Sequence, residues 1–160
     1  MKVLGQLTIL FTGLIFGLWG IKREESYISL IEELQLALSI VESEISFALK
    51  PLPASFAQAA KSLKKTAIFF DDAAKRAQKG ETCLFDLELL PLKDDEKQIL
   101  FEVGIRLGRG SEKEQTALIL KALARLEESR LKYREKLRKN TPLWRWLSPL
   151  LALLIVLLTC

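Results

Sequence analysis

Two uncharged runs, one near each end of the chain, constrain this sequence more than any other feature. Residues 3–21 contain no charged side chain, and neither do residues 146–160. As a helix the first run is about 28 Å long, close to the thickness of the hydrocarbon core of a bilayer. The second reaches only about 22 Å, so it needs Leu143 and a snorkelling Arg145 to complete a span. The chain therefore divides into three predicted segments: a transmembrane helix at 1–21, a domain at 22–141 and a transmembrane helix at 142–160.

Basic residues are concentrated immediately before the second run. Between residues 130 and 145, seven cations are opposed only by Glu135. Anionic lipid attracts such a cluster, and tryptophan rings favour the headgroup level of a bilayer. We therefore predict a membrane-interface cluster in this part of the chain. Its members are Arg130, Lys132, Arg134, Lys136, Arg138, Lys139, Trp144, Arg145 and Trp146.

The same charge pattern predicts the side of the membrane on which the domain lies. Lys22 and Arg23 follow the first run, the basic cluster precedes the second, and only Lys2 lies beyond the first run. Cytoplasmic flanks carry the excess of lysine and arginine, so we expect the domain in the cytoplasm. A cleaved signal peptide is the alternative for the first run, but no small-x-small cleavage site follows it. We expect an uncleaved anchor.

Between the two runs the sequence has the periodicity of helices. Apolar residues recur every three or four positions, proline or glycine separates the segments, and no stretch alternates over the length of a strand. We predict an all-α fold, a six-helix antiparallel bundle flanked by the two spans. We expect the first helix to continue from its span and the last to stop at Pro142. The predicted helices cover residues 24–49, 54–64, 66–79, 82–90, 94–107 and 111–140.

Individual residues predict several helix ends and one buried face. Gly80 suits the left-handed position that follows a helix. Asp94 or Asp95 is predicted to cap the fifth helix, and Ser111 with Glu114 forms a capping box before the sixth. On the first helix we predict a buried apolar stripe. It comprises Tyr27, Leu30, Ile31, Leu34, Leu38, Val41, Ile45, Ala48 and Leu49.

Residues capable of catalysis are scarce in this sequence. There is no histidine, and Cys83 and Cys160 are too far apart in the chain to suggest a disulfide framework or a metal site. Glu42 and Glu44 are a candidate pair of carboxylates, but residues two apart point about 200° away from each other on a helix. They form either a solvated face or a surface for a partner protein. Without a phosphate-binding or hydrolase motif, we expect no enzyme, no cofactor and no resident metal.

Two acidic clusters leave a second function open. Asp71-Asp72 and Asp94-Asp95-Glu96 could hold a hard cation, although adjacent acids near helix starts suit capping better. The alternative function is therefore a membrane-tethered regulatory domain that binds a cation or small ligand through acidic residues. Outside the basic cluster the domain is slightly acidic, so we expect no binding of nucleic acid.

A series of short motifs, in order along the chain, resembles a known family. The first half contains Leu38-x-x-Val41-Glu42-x-Glu44-Ile45-x-Phe47 and Pro51-Leu52. The second half contains Glu96-Lys97-x-Ile99-Leu100, Gly104, Leu107-Gly108, Gln115 and Leu123-x-x-Leu126-Glu127. Together with the two spans, this order resembles stage III sporulation protein AB, a small membrane protein of endospore-forming bacteria. The resemblance covers nearly the whole chain and is strongest over residues 38–52 and 94–128.

The resemblance implies a function that the residues alone do not. It implies a component of the transport apparatus that links mother cell and forespore, with a cytoplasmic domain similar to that of the inner-membrane platform protein of type II secretion and type IV pilus machines. The implied role is a platform in the mother-cell membrane facing the forespore. The implied partners are other stage III sporulation proteins, including a cytoplasmic ATPase. Anionic membrane lipid is a further partner, predicted from the basic cluster itself. Whether the chain forms a homo-oligomer stays open.

Overall fold

The computed structural model confirms the prediction of an all-α fold. It describes the backbone of residues 2–159 and the side chains of residues 22–139, and the described backbone contains helices and no strand. A short 3-10 helix, η1, covers Leu87–Leu89. The five α-helices are α1 (Lys2–Ser46), α2 (Leu52–Lys61), α3 (Ala67–Lys79), α4 (Asp94–Arg106) and α5 (Glu112–Thr159).

Two predictions about helices are wrong. The helix predicted at residues 82–90 is a loop with one turn of 3-10 helix, because its backbone is tied to α4: the Leu84 amide donates to the Gly104 carbonyl at 3.1 Å. The described backbone therefore has five α-helices instead of six. The stop predicted at Pro142 is also wrong, since α5 continues to Thr159. A proline only biases the residue before it against helix, and this bias did not end α5.

Three predicted helix ends can be compared with the structure. Gly80 follows α3 in the left-handed conformation at φ 72°, as predicted. The capping box is also confirmed, because the Ser111 amide donates to Glu114 Oε2 at 2.7 Å and the Glu114 amide contacts Ser111 Oγ at 3.4 Å. The predicted aspartate cap of α4 is wrong. Lys93 occupies the N-cap position and its side chain makes no capping hydrogen bond, and both aspartates lie in the first helical turn.

The chain divides into two compact units. Unit 1 comprises Met1–Ile28 and Leu131–Cys160, and unit 2 comprises Ser29–Arg130. Within unit 1, the rings of Tyr27 and Tyr133 pack edge-to-face with centroids 5.0 Å apart. Among residues with described side chains, no helix has a stretch long and apolar enough to cross a membrane. The two predicted spans, at 1–21 and 142–160, lie outside those residues.

In unit 2, α1 and α5 run antiparallel. Gln35 Nε2 donates to Glu127 Oε2 at 2.9 Å, and eleven residues later along α1 the hydroxyls of Ser46 and Thr116 are 3.0 Å apart. Most of the predicted stripe on α1 is confirmed. The buried members are Leu30, Ile31, Leu34, Leu38, Val41 and Ile45. Tyr27 is only half-buried, and Ala48 and Leu49 are exposed because α1 ends before them.

Four phenylalanines form an aromatic cluster in the core of unit 2. The cluster contains Phe56 of α2, Phe69 and Phe70 of α3, and Phe85 of the loop before η1, and each ring is almost completely buried. Phe85 stacks on Phe69 with centroids 5.0 Å apart, and it meets Phe56 edge-to-face at 5.6 Å. The loop is therefore fixed to the α2–α3 hairpin through one aromatic ring.

Gly104 allows the same loop to approach α4. A Cβ atom at Gly104 would lie 3.1 Å from Phe85 Cδ2 and 3.3 Å from the Phe85 amide nitrogen. We expect Gly104→Val to destabilise unit 2 by about 2 kcal/mol, because overpacking forces the loop to move. Thermal unfolding followed by circular dichroism measures this change. Ala124→Val is the matched control at an exposed helical position, where only the helix propensity falls. Equal effects of the two valines would contradict the role assigned to Gly104.

Candidate functional site

The described part of the predicted interface cluster covers residues 130–139 of α5. Trp144, Arg145 and Trp146 lie outside the residues whose side chains are described. Five of the described cations are exposed, namely Lys132, Arg134, Lys136, Arg138 and Lys139. Lys139 pairs with Glu135 at 2.7 Å, and this hydrogen bond and its charge lower the pKa of the Glu135 carboxyl. This segment presents a strongly cationic helix surface, as a contact with anionic headgroups requires.

Arg130 differs from the other members of the predicted cluster. Its Nη1 lies 3.0 Å from Glu32 Oε1 of α1, and its Nη2 lies 2.6 Å from Glu127 Oε1 of α5. Only 22% of its side chain is exposed. Arg130 therefore links α1 to α5 within unit 2, and much of its charge is already balanced by these two carboxylates.

Glu42 and Glu44 have separate partners, as their spacing predicts. Glu42 accepts a hydrogen bond from Ser46 Oγ at 3.1 Å, on the side of α1 where Ser46 meets Thr116 of α5. Glu44 pairs with Lys50 of the α1–α2 turn at 2.6 Å, and 19% of its side chain is exposed. The two carboxylates do not converge on one point. Each carboxylate contacts a different residue near the end of α1. The binding of a partner protein by this pair stays a prediction.

The acidic clusters also separate in the structure. Asp71 pairs with Lys75 and Asp72 with Arg76, both at 2.6 Å. Asp94 and Asp95 are exposed, whereas the adjacent Glu96 is fully buried and accepts a hydrogen bond from the Ser129 hydroxyl. Among the described residues, no group of histidine, cysteine, aspartate or glutamate side chains is arranged to hold a metal ion.

Glu33 has a structural role that the sequence did not predict. Its Oε2 accepts hydrogen bonds from the amides of Lys64, Lys65 and Thr66 at 3.3, 2.8 and 3.2 Å, and from the Thr66 hydroxyl at 3.3 Å. Thr66 is the N-cap residue of α3 and makes no side-chain cap of its own. A carboxylate on α1 therefore binds the turn that precedes α3, including the amide of its N-cap residue. This negative charge also lies near the N-terminus of α3, where the helix dipole favours it.

The hydrogen bonds to Glu33 change the pKa of its carboxyl group. Burial alone would raise the pKa of Glu33, but the hydrogen bonds from Lys65, Thr66 and Lys64 outweigh burial, and the pKa is lowered. These donors lie 31 to 33 residues away in the chain. No local pattern around Glu33 could have indicated the contact.

Two further carboxylates join α4 to α5. Besides the contact between Glu96 and Ser129, Glu102 lies 3.3 Å from Lys121 and 3.1 Å from Arg125. Hydrogen bonding and charge from Lys121, with the charges of Arg125 and Arg106, lower the pKa of the Glu102 carboxyl. Glu96, Glu102 and Arg130 thus join one helix to another. The exposed cationic segment of α5 is the candidate functional surface.

The family profile of stage III sporulation protein AB matches residues 2–160, almost the complete chain. The chain belongs to the stage III sporulation protein AB family. A solved structure of a stage III sporulation protein AB is 26% identical, with a TM-score of 0.59, and the match covers 68% of this chain and 94% of that one. No curated protein matches the chain. The resemblance stated from the sequence is confirmed, and membership of the family supports a role in sporulation.

Proposed function

We propose that this chain is a non-enzymatic membrane platform of the complex that connects mother cell and forespore. Two transmembrane helices hold it in the mother-cell membrane, and its cytoplasmic helical domain organises membrane subunits and contacts the ATPase of the system. The family match over residues 2–160 is the observation that carries this proposal. The exposed cations of α5 support it, because they suit the cytoplasmic face of an anionic membrane.

The ion pairs of unit 2 are consistent with a scaffold. Arg76 contacts three carboxylates, those of Asp72, Glu81 and Asp86, and so connects α3 to the loop that follows it. Glu33, Arg130 and Glu102 join further elements. The charged groups of these side chains already bind partners within the fold. They therefore contribute to the stability of the domain more than to catalysis.

The membrane topology can be measured in intact cells. We expect a reporter enzyme fused after Cys160 to be active outside the cytoplasm, since both ends of the domain carry cations. A single cysteine at the exposed position Lys113, with Cys83 and Cys160 replaced by serine, should react only with a membrane-permeant maleimide. Activity of the fused reporter in the cytoplasm would contradict the two-span arrangement.

Contact with the ATPase can be tested by photo-crosslinking during sporulation. Phe47 is 83% exposed at the end of α1, and Leu49 is 73% exposed in the adjoining turn, so neither packs in the described core. A crosslinking amino acid at Phe47 should capture the ATPase, whereas the same group at the exposed Gln78 of α3 serves as the control. Capture of lipid alone, or normal forespore development after deletion of the chain, would count against the platform.

A further inference from the structure

A surface of unit 2 carries lysines around an exposed isoleucine. Residues 61–70 include three lysines and no acid. Lys61, Lys64 and Lys65 are exposed at the turn between α2 and α3, and Ile68 of the first turn of α3 is 76% exposed. We call these four residues the lysine surface. Lys65 already has an interaction within the chain, so the proposed contact depends on Lys61, Lys64 and Ile68. A cluster of one charge around an apolar side chain is suited to a surface of opposite charge.

A second surface of unit 2 has the opposite charge. Asp94 and Asp95 are exposed in the first turn of α4, and Leu89 of η1 is 46% exposed. Lys97 lies 3.8 Å from Glu88, which ties η1 to α4 and brings Leu89 to the same region. Lys93, beside the aspartates, is already engaged within the chain. We call Leu89, Asp94 and Asp95 the acidic surface.

Both surfaces lie at one end of unit 2. The turn of the lysine surface is bound by Glu33 of α1, and the neighbouring Glu32 pairs with Arg130 of α5. The start of α4 is bound at the same level, because Glu96 accepts a hydrogen bond from Ser129. Successive helical residues differ by about 100°, so the contacts with Glu33 and with Ser129 lie on different sides of the α1–α5 pair. The two surfaces thus face different directions near the same end of unit 2.

We propose that the lysine surface of one copy of the chain binds the acidic surface of a second copy. Most other acids of unit 2 are unsuitable partners, because they already pair with cations of their own chain. Examples are Asp71, Asp72, Glu81, Asp86 and Glu102. Exposed ion pairs alone contribute little, so Ile68 and Leu89 supply the apolar part of the contact.

The proposed contact joins two different surfaces, so it is heterologous. A dimer joined in this way still has one free lysine surface on one copy and one free acidic surface on the other, so further copies add head to tail until a ring closes. Two surfaces near the same end of unit 2 can meet when copies of the chain lie side by side in one membrane. This association goes beyond the platform role, and it is tested without the ATPase.

Charge reversal in the full chain tests the pairing. In membranes, chemical crosslinking of the wild type should give a series of dimers and larger species. Lys61→Glu with Lys64→Glu should lower the crosslinked fraction about tenfold, and so should Asp94→Lys with Asp95→Lys, because each reversal places like charges together. All four changes in one chain should restore association. Arg109→Glu with Lys113→Glu, at the other end of unit 2, is the matched control and should leave association unchanged.

Site-specific disulfides test whether the lysine surface of one copy meets the acidic surface of another. In chains with Cys83→Ser and Cys160→Ser, a copy with Lys64→Cys should crosslink to a differently tagged copy with Asp95→Cys. Two copies that carry the same cysteine should crosslink much less. Absence of the mixed disulfide, or failure of the fourfold reversal to restore association, would overturn the proposal. A loss of association after the lysine reversal, with no loss after the aspartate reversal, would also overturn the proposal. It would point to an acidic protein or to anionic lipid at the lysine surface.

Discussion

Replacement of Phe85 by alanine should destabilise unit 2 by about 4 kcal/mol, the usual cost of removing a buried phenylalanine. Phe85 is 2% exposed and contacts all three other rings of the aromatic cluster, at centroid distances of 5.0, 5.6 and 5.9 Å. Its loss leaves a cavity between the α2–α3 hairpin and the loop that reaches α4. A domain with a stability of about 5–15 kcal/mol would lose a large part of its margin.

Denaturation of the full chain in detergent, followed by circular dichroism, measures this effect. Hydrogen exchange at the Leu84 amide, which donates to Gly104, reports the same loss locally. Phe47→Ala is the matched control, because Phe47 is 83% exposed and the substitution should change stability by less than about 0.5 kcal/mol. Similar costs for the two substitutions would mean that the aromatic cluster does not stabilise unit 2.

The predictions that succeeded depend on residues close together in the sequence. Gly80 was placed correctly because a left-handed residue after a helix needs nothing beyond its neighbours. Ser111 and Glu114 are three residues apart, and the capping box follows from that spacing alone. The buried stripe of α1 follows in the same way from helical periodicity.

The stop predicted at Pro142 and the aspartate cap of α4 were local predictions, and local backbone preferences were too weak to secure them. The missing helix at residues 82–90 and the contacts of Arg130 and Glu33 depend instead on distant parts of the chain. Leu84 and Phe85 look like part of a short apolar helix, but the hydrogen bond of the Leu84 amide goes to Gly104, twenty residues later. Arg130 counts as one more cation in the sequence, whereas its partner Glu32 lies 98 residues earlier. The cationic character of residues 132–139 was predictable because exposed charge needs no partner. The role of Glu33 was not, because its partners belong to the turn before α3.

Glu33→Gln should destabilise unit 2 by about 2 kcal/mol at neutral pH, since charge-assisted hydrogen bonds to the turn before α3 are replaced by neutral ones. The three amides that donate to Glu33 Oε2 precede α3, and the fully buried Thr66 also directs its hydroxyl to this atom. Hydrogen exchange of the amides of Lys64, Lys65 and Thr66 should become faster in the variant. Glu25→Gln is the matched control, because Glu25 is exposed on the same helix.

The pH dependence of the unfolding free energy distinguishes the effect of the Glu33 charge from the effect of its side-chain shape. Because folding lowers the pKa of Glu33, its carboxylate stabilises the fold above the unfolded value of about 4.3, and this contribution is lost as the pH falls through the folded value. The difference in unfolding free energy between wild type and Glu33→Gln should therefore be constant from pH 7 to about pH 5 and shrink below it. Urea denaturation of both chains across this range gives the comparison. A difference that stays the same down to pH 3 would show that glutamine disturbs packing and that the carboxylate charge does not stabilise the start of α3.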